Sequence, residues 1–255
     1  MQTDPPFLHA ERVSYAYGSE PPTVHGADLA LQAGAFHCLV GRSGCGKTTL
    51  LKLAAGLLLP TAGMVRIDGA PVLSPSQKVG FVFQTPSLLE WLPVLDNVLL
   101  PISLKRPVRT ADREAAAELL ELMGIGQHAA RFPRQLSGGQ QSRAALARAL
   151  VTSPPALLMD EPFAALDAIT REELQDDLLR LTRQRQTTVL FVTHDIAEAV
   201  YLGTHVSIMD QGRIRRTLPI DLPAVHGAET RYDARFSALC HDIRTAMAGP
   251  LEATA

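Results

Sequence analysis

Gly41-Arg42-Ser43-Gly44-Cys45-Gly46-Lys47-Thr48-Thr49 has the form G-x-x-x-x-G-K-[ST], the pattern of a phosphate-binding loop. An apolar run, Phe36-His37-Cys38-Leu39-Val40, leads into it and reads as a short buried strand. Residues 50–55 lead out as a helix. A strand, a loop and a helix in that order is the setting the pattern requires. The glycines let backbone N–H groups turn inward around phosphate oxygens, where a Cβ would crowd the approach. The following helix points its positive end at the same anion. Lys47 is the natural partner of the β- and γ-phosphates, and the Thr48 hydroxyl is the natural ligand for Mg²⁺, which prefers hard oxygen.

The chain is 255 residues long, enough for one large α/β domain or two small ones, and 46% of it is apolar. A formal net charge of −2 gives no basic surplus of the kind that nucleic acid calls for. Cys38, Cys45 and Cys240 fall at unrelated spacings, which is neither a disulfide framework nor a zinc pattern, and fits a reducing compartment. The first six residues show no charged and apolar signal-peptide pattern, and no apolar run is long enough to cross a bilayer. Work at a membrane would therefore go through a partner.

Ahead of the loop, residues 7–18 and 27–32 read as strands of an antiparallel layer. Tyr15 and Tyr17 fit as ordinary strand aromatics, and either could stack on a nucleobase. After the first helix, residues 64–69 and 78–83 read as further strands. The latter ends at Gln84, on a loop from which a side chain could reach a metal or a phosphate, or simply hold the loop by hydrogen bonds. Residues 88–150 change character. Residues 94–100 and the Ala/Glu/Leu-rich residues 111–123 read as helices, so this segment looks like a helical insertion. Trp91, the sole tryptophan, stands at its entrance and reads first as core, second as a docking surface.

Leu136-Ser137-Gly138-Gly139-Gln140 opens a helix over 141–151. Ser137 is a good N-cap, and two glycines at a helix start leave N–H groups open to an anion. Residues 156–160 form an apolar strand that ends in Asp160 and Glu161. Adjacent acids at a buried strand end are costly unless a cation or partner waits there. Asp160 suits Mg²⁺ through a bound water, and Glu161 suits a general base on an attacking water. Residues 170–185 read as a polar helix, and 187–192 as a strand that ends at Thr193-His194-Asp195. His194 fits a γ-phosphate contact or a plain hydrogen-bonding role. Residues 206–213 read as a hairpin. Phe236, Leu239, Cys240, Ile243 and Met247 lie at helical spacing in the tail.

In this order the elements resemble an ATP-binding-cassette (ABC) ATPase subunit, from about residue 7 to residue 218. Leu136 to Gln140 reads LSGGQ, the family's signature. Gln84 matches its Q-loop, residues 157–161 its Walker B strand and catalytic glutamate, Ala165-Leu166-Asp167 its D-loop, and His194 its switch histidine. Tyr17 takes the place of the adenine-stacking aromatic. The resemblance implies an α/β fold: a P-loop NTPase (RecA-like) core with an antiparallel β subdomain and an inserted α-helical subdomain. It implies one domain over 7–246, with 7–87 and 151–218 as core and β subdomain, 88–150 helical and 219–255 a helical tail. ATP and Mg²⁺ are the implied cofactors. The implied catalytic set is Glu161, His194, Gln84 and Lys47. Tyr17, Gly41, Arg42, Ser43, Gly44, Cys45, Gly46, Lys47, Thr48, Thr49, Ser137, Gly138, Gly139, Gln140 and Asp167 are the implied nucleotide contacts, and Thr48, Gln84 and Asp160 the metal contacts. A head-to-tail homodimer is implied, in which Ser137 and Gly139 of one copy cover ATP bound on Lys47 and Thr48 of the other.

Residues 83–98 are further similar to the nitrate/sulfonate/taurine importer ATPases. Glu90 stands where Pro is usual, Ser142 where Gln is frequent and Ala165 where Ser is common; none of the three removes a reacting group. The expected role is to energise import of a small solute of the nitrate, sulfonate, taurine or thiamine-precursor type at the cytoplasmic face of the inner membrane, beside separate permease subunits and a periplasmic or lipid-anchored solute-binding protein. An exporter ATPase and a soluble non-transport ABC ATPase are the alternatives.

Overall fold

The computed structural model describes residues 5–164, 166–222 and 227–249. Ala165 of the expected D-loop and the first four residues lie outside that set. The described elements run, in chain order, β1 (Leu8–Tyr15), β2 (Val24–Leu31), β3 (Phe36–Val40), α1 (Lys47–Ala54), β4 (Ala62–Ile67), β5 (Ala70–Pro71), β6 (Val79–Val82), α2 (Val94–Ser103), α3 (Thr110–Leu122), α4 (Gly138–Leu150), β7 (Ala156–Asp160), α5 (Ala168–Gln184), β8 (Thr188–Thr193), α6 (Ile196–Leu202), β9 (His205–Asp210), β10 (Arg213–Pro219) and α7 (Ala234–Ala248). They group into two compact units, the first running to Ser76 and resuming at Gln186, the second spanning Gln77–Arg185.

The first unit holds two β layers. Strands β2-β1-β4-β5 make an antiparallel sheet. Alternation decides which face of β2 is covered from Ala27 on: Ala27, Leu29 and Leu31 are buried and the residues between them face out, while Val24 is buried beyond a shift of register. The second layer sets β3 parallel to β8 on one side and to β9 on the other, with β10 antiparallel beyond β9. All residues of β3 and β8 are buried, as their unbroken apolar runs require of central parallel strands. His37 is the titratable exception, alongside the buried hydroxyls of Thr188 and Thr193. Its Nε2 lies 2.7 Å from the Ser207 hydroxyl, which in turn lies 2.7 Å from that of Thr217. Burial first, then the neighbouring His205, lowers the His37 pKa to about 3. The tail helix α7 buries Phe236 and Ile243 and packs on α6, so the helical spacing of the tail is real.

The second unit pairs β6 parallel to β7 and carries α2, α3, α4 and α5. Helix α2 continues to Ser103 through Pro101, three residues past the expected end, because the proline costs one backbone bond near the C-terminus. Asn97, fully buried on α2, is the organising polar group. Its Oδ1 accepts from Leu89 N (2.7 Å), and its Nδ2 donates to the carbonyls of Leu89 (3.0 Å), Leu92 (2.9 Å) and Pro93 (3.3 Å). That clamp turns the 89–93 loop and leaves Trp91 72% exposed, which overturns its reading as core. Arg143 on α4 ties to Asp177 (2.9 Å) and Glu173 (2.9 Å) on α5. Arg148 donates to the carbonyls of Pro86 and Ser87, both at 2.9 Å, and so holds the segment that follows Gln84. Among the described residues no helix is long and apolar enough to cross a membrane.

Candidate nucleotide site

The phosphate loop leaves β3 at Gly41 and enters α1 through Gly46, whose φ of 104° only glycine adopts without strain. Gly46 also packs closely: a Cβ there would stand 2.6 Å from the Thr23 carbonyl oxygen. At Gly41 a Cβ would collide with the Met209 carbonyl oxygen. The Gly212 amide, in the β9–β10 turn, donates to the Cys45 carbonyl at 3.0 Å. Thr23, Met209 and Gly212 therefore buttress the loop. None of the three carries a sequence signal, because each meets the loop mainly through its backbone. Gly44, by contrast, has open space around it, and Arg42, Ser43 and Gly44 are exposed.

Lys47 is 5% exposed, and its ammonium donates to the carbonyls of Gly41 (2.9 Å) and Arg42 (3.1 Å). The curled loop thus places a buried cation inside its own turn, beside the positive end of an eight-residue helix. A phosphate is the anion that satisfies both. Cys45 Sγ lies 4.0 Å from the ammonium, yet burial outweighs that attraction and raises the thiol's pKa. Thr48, in the first turn of α1, is half-buried. Thr49 sits 3.3 Å, oxygen to oxygen, from the Tyr17 hydroxyl, so Tyr17 is tethered to α1 while the residue stays 40% exposed. The Tyr15 ring stands edge-on to it with centroids 4.9 Å apart. Register then brings in His194: Val40 pairs with Thr193, so Gly41 and His194 leave adjacent parallel strands at the same end. His194 is exposed there.

In the second unit the pairing of Val82 with Met159 does the same for Gln84 and Asp160. Both follow paired strand ends, Gln84 exposed and Asp160 only 7% exposed. Glu161 follows with a φ of 43°, the left-handed region that a non-glycine residue enters only at some cost.

The signature segment is built as an N-terminus. Helix α4 starts at Gly138, three residues earlier than the sequence pattern suggested, because Ser137 caps it: Ser137 Oγ accepts from Gln140 N (3.3 Å). Gln140 Oε1 accepts from Ser137 N (3.0 Å), completing a reciprocal capping box. Gly138 meets nothing, whereas a Cβ on Gly139 would come 2.8 Å from Thr170 Cγ2. Asp167 caps α5 through Thr170 N (3.0 Å), and that amide leads the hydrogen bonds that hold its carboxyl below the usual carboxylate range. Among the described residues no group of three or more His, Cys, Asp or Glu side chains gathers as a metal cage.

A strand that runs into a glycine-rich loop curled on a buried lysine, then into a helix, defines a P-loop NTPase. The family model described as "ABC transporter" matches residues 24–164. The taurine import ATP-binding protein TauB of Chromobacterium violaceum is 45% identical over 214 residues, which are 83% of this chain and 82% of that protein. The aliphatic sulfonates import ATP-binding protein SsuB of Bacillus subtilis is 42% identical, covering 83% of each. The nitrate import ATP-binding protein NrtD of Synechococcus elongatus is 43% identical over 81% of this chain and 77% of its own. Among solved structures, the ATP-binding cassette MJ0796, dimeric in a post-hydrolysis state bound to ADP and Pi, superposes with a TM-score of 0.76 at 33% identity, covering 85% of this chain and all of that one. The chain belongs to the ABC transporter family, and it is an ATP-binding ATPase of that family.

Proposed function

We propose that this ATPase energises import of a small oxyanion-bearing solute of the nitrate, sulfonate or taurine type. The names of the relatives above support the solute class. The observation that carries the nucleotide chemistry is the buried Lys47 ammonium inside the phosphate loop.

In this reading Tyr17 stacks on adenine. The backbone amides of residues 41–49, with Lys47, hold the triphosphate. Mg²⁺ would be held beside the phosphates of the nucleotide. A hydroxyl and a carboxylate, Thr48 and Asp160, with Gln84 as a further oxygen, are the hard donors this ion takes beside phosphate. Glu161 is the base that takes a proton from the attacking water. His194 donates to the γ-phosphate and orients it. Ser137, Gly138, Gly139 and Gln140 present the α4 terminus to the triphosphate of a second copy, with Asp167 at the shared edge. Two copies then close on ATP and open after hydrolysis, a switch driven by ligand contacts. A single α/β ATPase domain over 7–246, with 88–150 as its helical part, fits this scheme. The exposed Trp91 turn fits docking to permease subunits at the cytoplasmic face, with a separate solute-binding protein beyond.

The test is Glu161→Gln. It should keep ATP binding and lower turnover at least a hundredfold, the scale of a lost general base. Turnover at the parent rate would remove Glu161 from this role.

A further inference from the structure

We infer that His128 is a positioning residue for the signature segment: its Nε2 locks the Gln140 carboxamide in the orientation that binds the Ser137 amide. A carboxamide has one accepting edge and one donating edge. The Gln140 oxygen is on Ser137 N, so its NH2 faces elsewhere, and it meets His128 Nε2 at 3.1 Å. An NH2 can only donate there. Nε2 therefore accepts, and the ring proton sits on Nδ1.

That assignment has a cost. His128 is 9% exposed, and its Nδ1 is buried with no acceptor among the described residues. An unpaired buried donor weakens a fold. A leucine of similar bulk would pack in the same place without that cost. What the imidazole supplies, and an alkyl group cannot, is the acceptor for Gln140. Reversing the amide would set NH2 against the Ser137 N–H, and with the ring proton on Nδ1 it would also set oxygen against the Nε2 lone pair; moving that proton to Nε2 relieves only the second clash. The orientation that serves Ser137 is thus the one in which both carboxamide edges are paired, the donating edge by His128. His128 ends a short 3-10 turn, Gly126–His128, that precedes α4, so the lock comes from outside the motif it serves.

This inference rests on the reading that Ser137 and Gly139 cover the triphosphate of a second copy. The test places His128→Leu and His128→Gln in the Glu161→Gln background and follows ATP-driven pairing by sedimentation, with thermal unfolding measured alongside. His128→Leu should raise the protein concentration for half-pairing about twenty-five-fold, the worth of one net hydrogen bond at each of the dimer's two sites, with an unfolding midpoint at or above that of the parent. In hydrolysing enzyme it should raise KM for ATP about fivefold and leave kcat within twofold. His128→Gln returns an oxygen acceptor near the Nε2 position and should pair within twofold of the parent.

If Glu161→Gln alone never pairs, the underlying reading fails and this inference goes with it. If Glu161→Gln pairs and His128→Leu pairs at the same concentration, the lock is overturned while the reading stands. Should leucine lower the midpoint, His128→Gln decides: parental pairing supports the lock, and a loss of about twenty-five-fold in a well-folded protein overturns it.

Discussion

Replacing Asn97 with alanine removes four hydrogen bonds at once, but only part of that loss is left uncompensated. The Leu89 carbonyl keeps the Leu92 amide at 3.1 Å, and the Pro93 carbonyl keeps the residue-97 amide at 2.9 Å. The Leu89 N–H and the Leu92 carbonyl lose the bonds they made to the side chain. A stranded buried polar group costs about 1–3 kcal/mol, so two would cost about 2–6. Leu89 and Leu92 are only half-buried, so water reaches them on loosening and the lower half of the range applies. We expect a loss of about 2–4 kcal/mol in denaturant unfolding followed by circular dichroism, and a midpoint lower by roughly 4–16 °C. Trp91, the sole tryptophan, sits on the clamped turn, so its fluorescence anisotropy should fall in the native state. Asn97→Asp keeps the acceptor but buries a carboxylate against three carbonyls, and should be no better than alanine. A stability within 0.5 kcal/mol of the parent, with unchanged anisotropy, would refute the clamp.

Three further outcomes follow from the geometry. Gly46→Ala forces a Cβ onto the Thr23 carbonyl at 2.6 Å from a φ of 104°; it should cost about 2–4 kcal/mol of stability and at least tenfold in ATP affinity by calorimetry. His37, at about 3 in the fold against about 6.5 unfolded, makes the unfolded chain the stronger proton binder between those values, so stability falls as pH falls. Between pH 6.5 and 4.5 this one group should remove about 2–3 kcal/mol, and His37→Gln should flatten the urea-monitored profile by that amount. Trp91 should become shielded from acrylamide when permease subunits bind, and unchanged quenching would place their contact elsewhere.

The phosphate loop, the strand that feeds it, the capped signature helix and the strand that ends at Asp160 were all legible, because local chemistry specifies each of them. Glycine at φ 104° and serine at an N-cap are local requirements. Helix α6 was missed although its signal was present: Asp195 caps it through the amides of Ala197 and Glu198, but seven residues are too few for a periodic pattern. Trp91 was misread because composition says only that tryptophan favours burial. Its exposure is set by Asn97, a polar residue on the buried face of α2, and a polar residue inside an apolar run is the clue that could have found it. Thr23, Met209 and Gly212 gave no signal, since they buttress the loop with backbone atoms. His128 was equally silent, because its role is a pairing over twelve residues that no motif records.

The central claim is that one copy's α4 terminus closes on the nucleotide held by the other. Sedimentation velocity of the Glu161→Gln protein, with and without ATP, tests it most directly. The account predicts a single monomeric boundary without nucleotide and a dimer with ATP that carries two nucleotides and disappears when Ser137→Arg is added. A protein that stays monomeric at saturating ATP, or a dimer indifferent to Ser137→Arg, would contradict it.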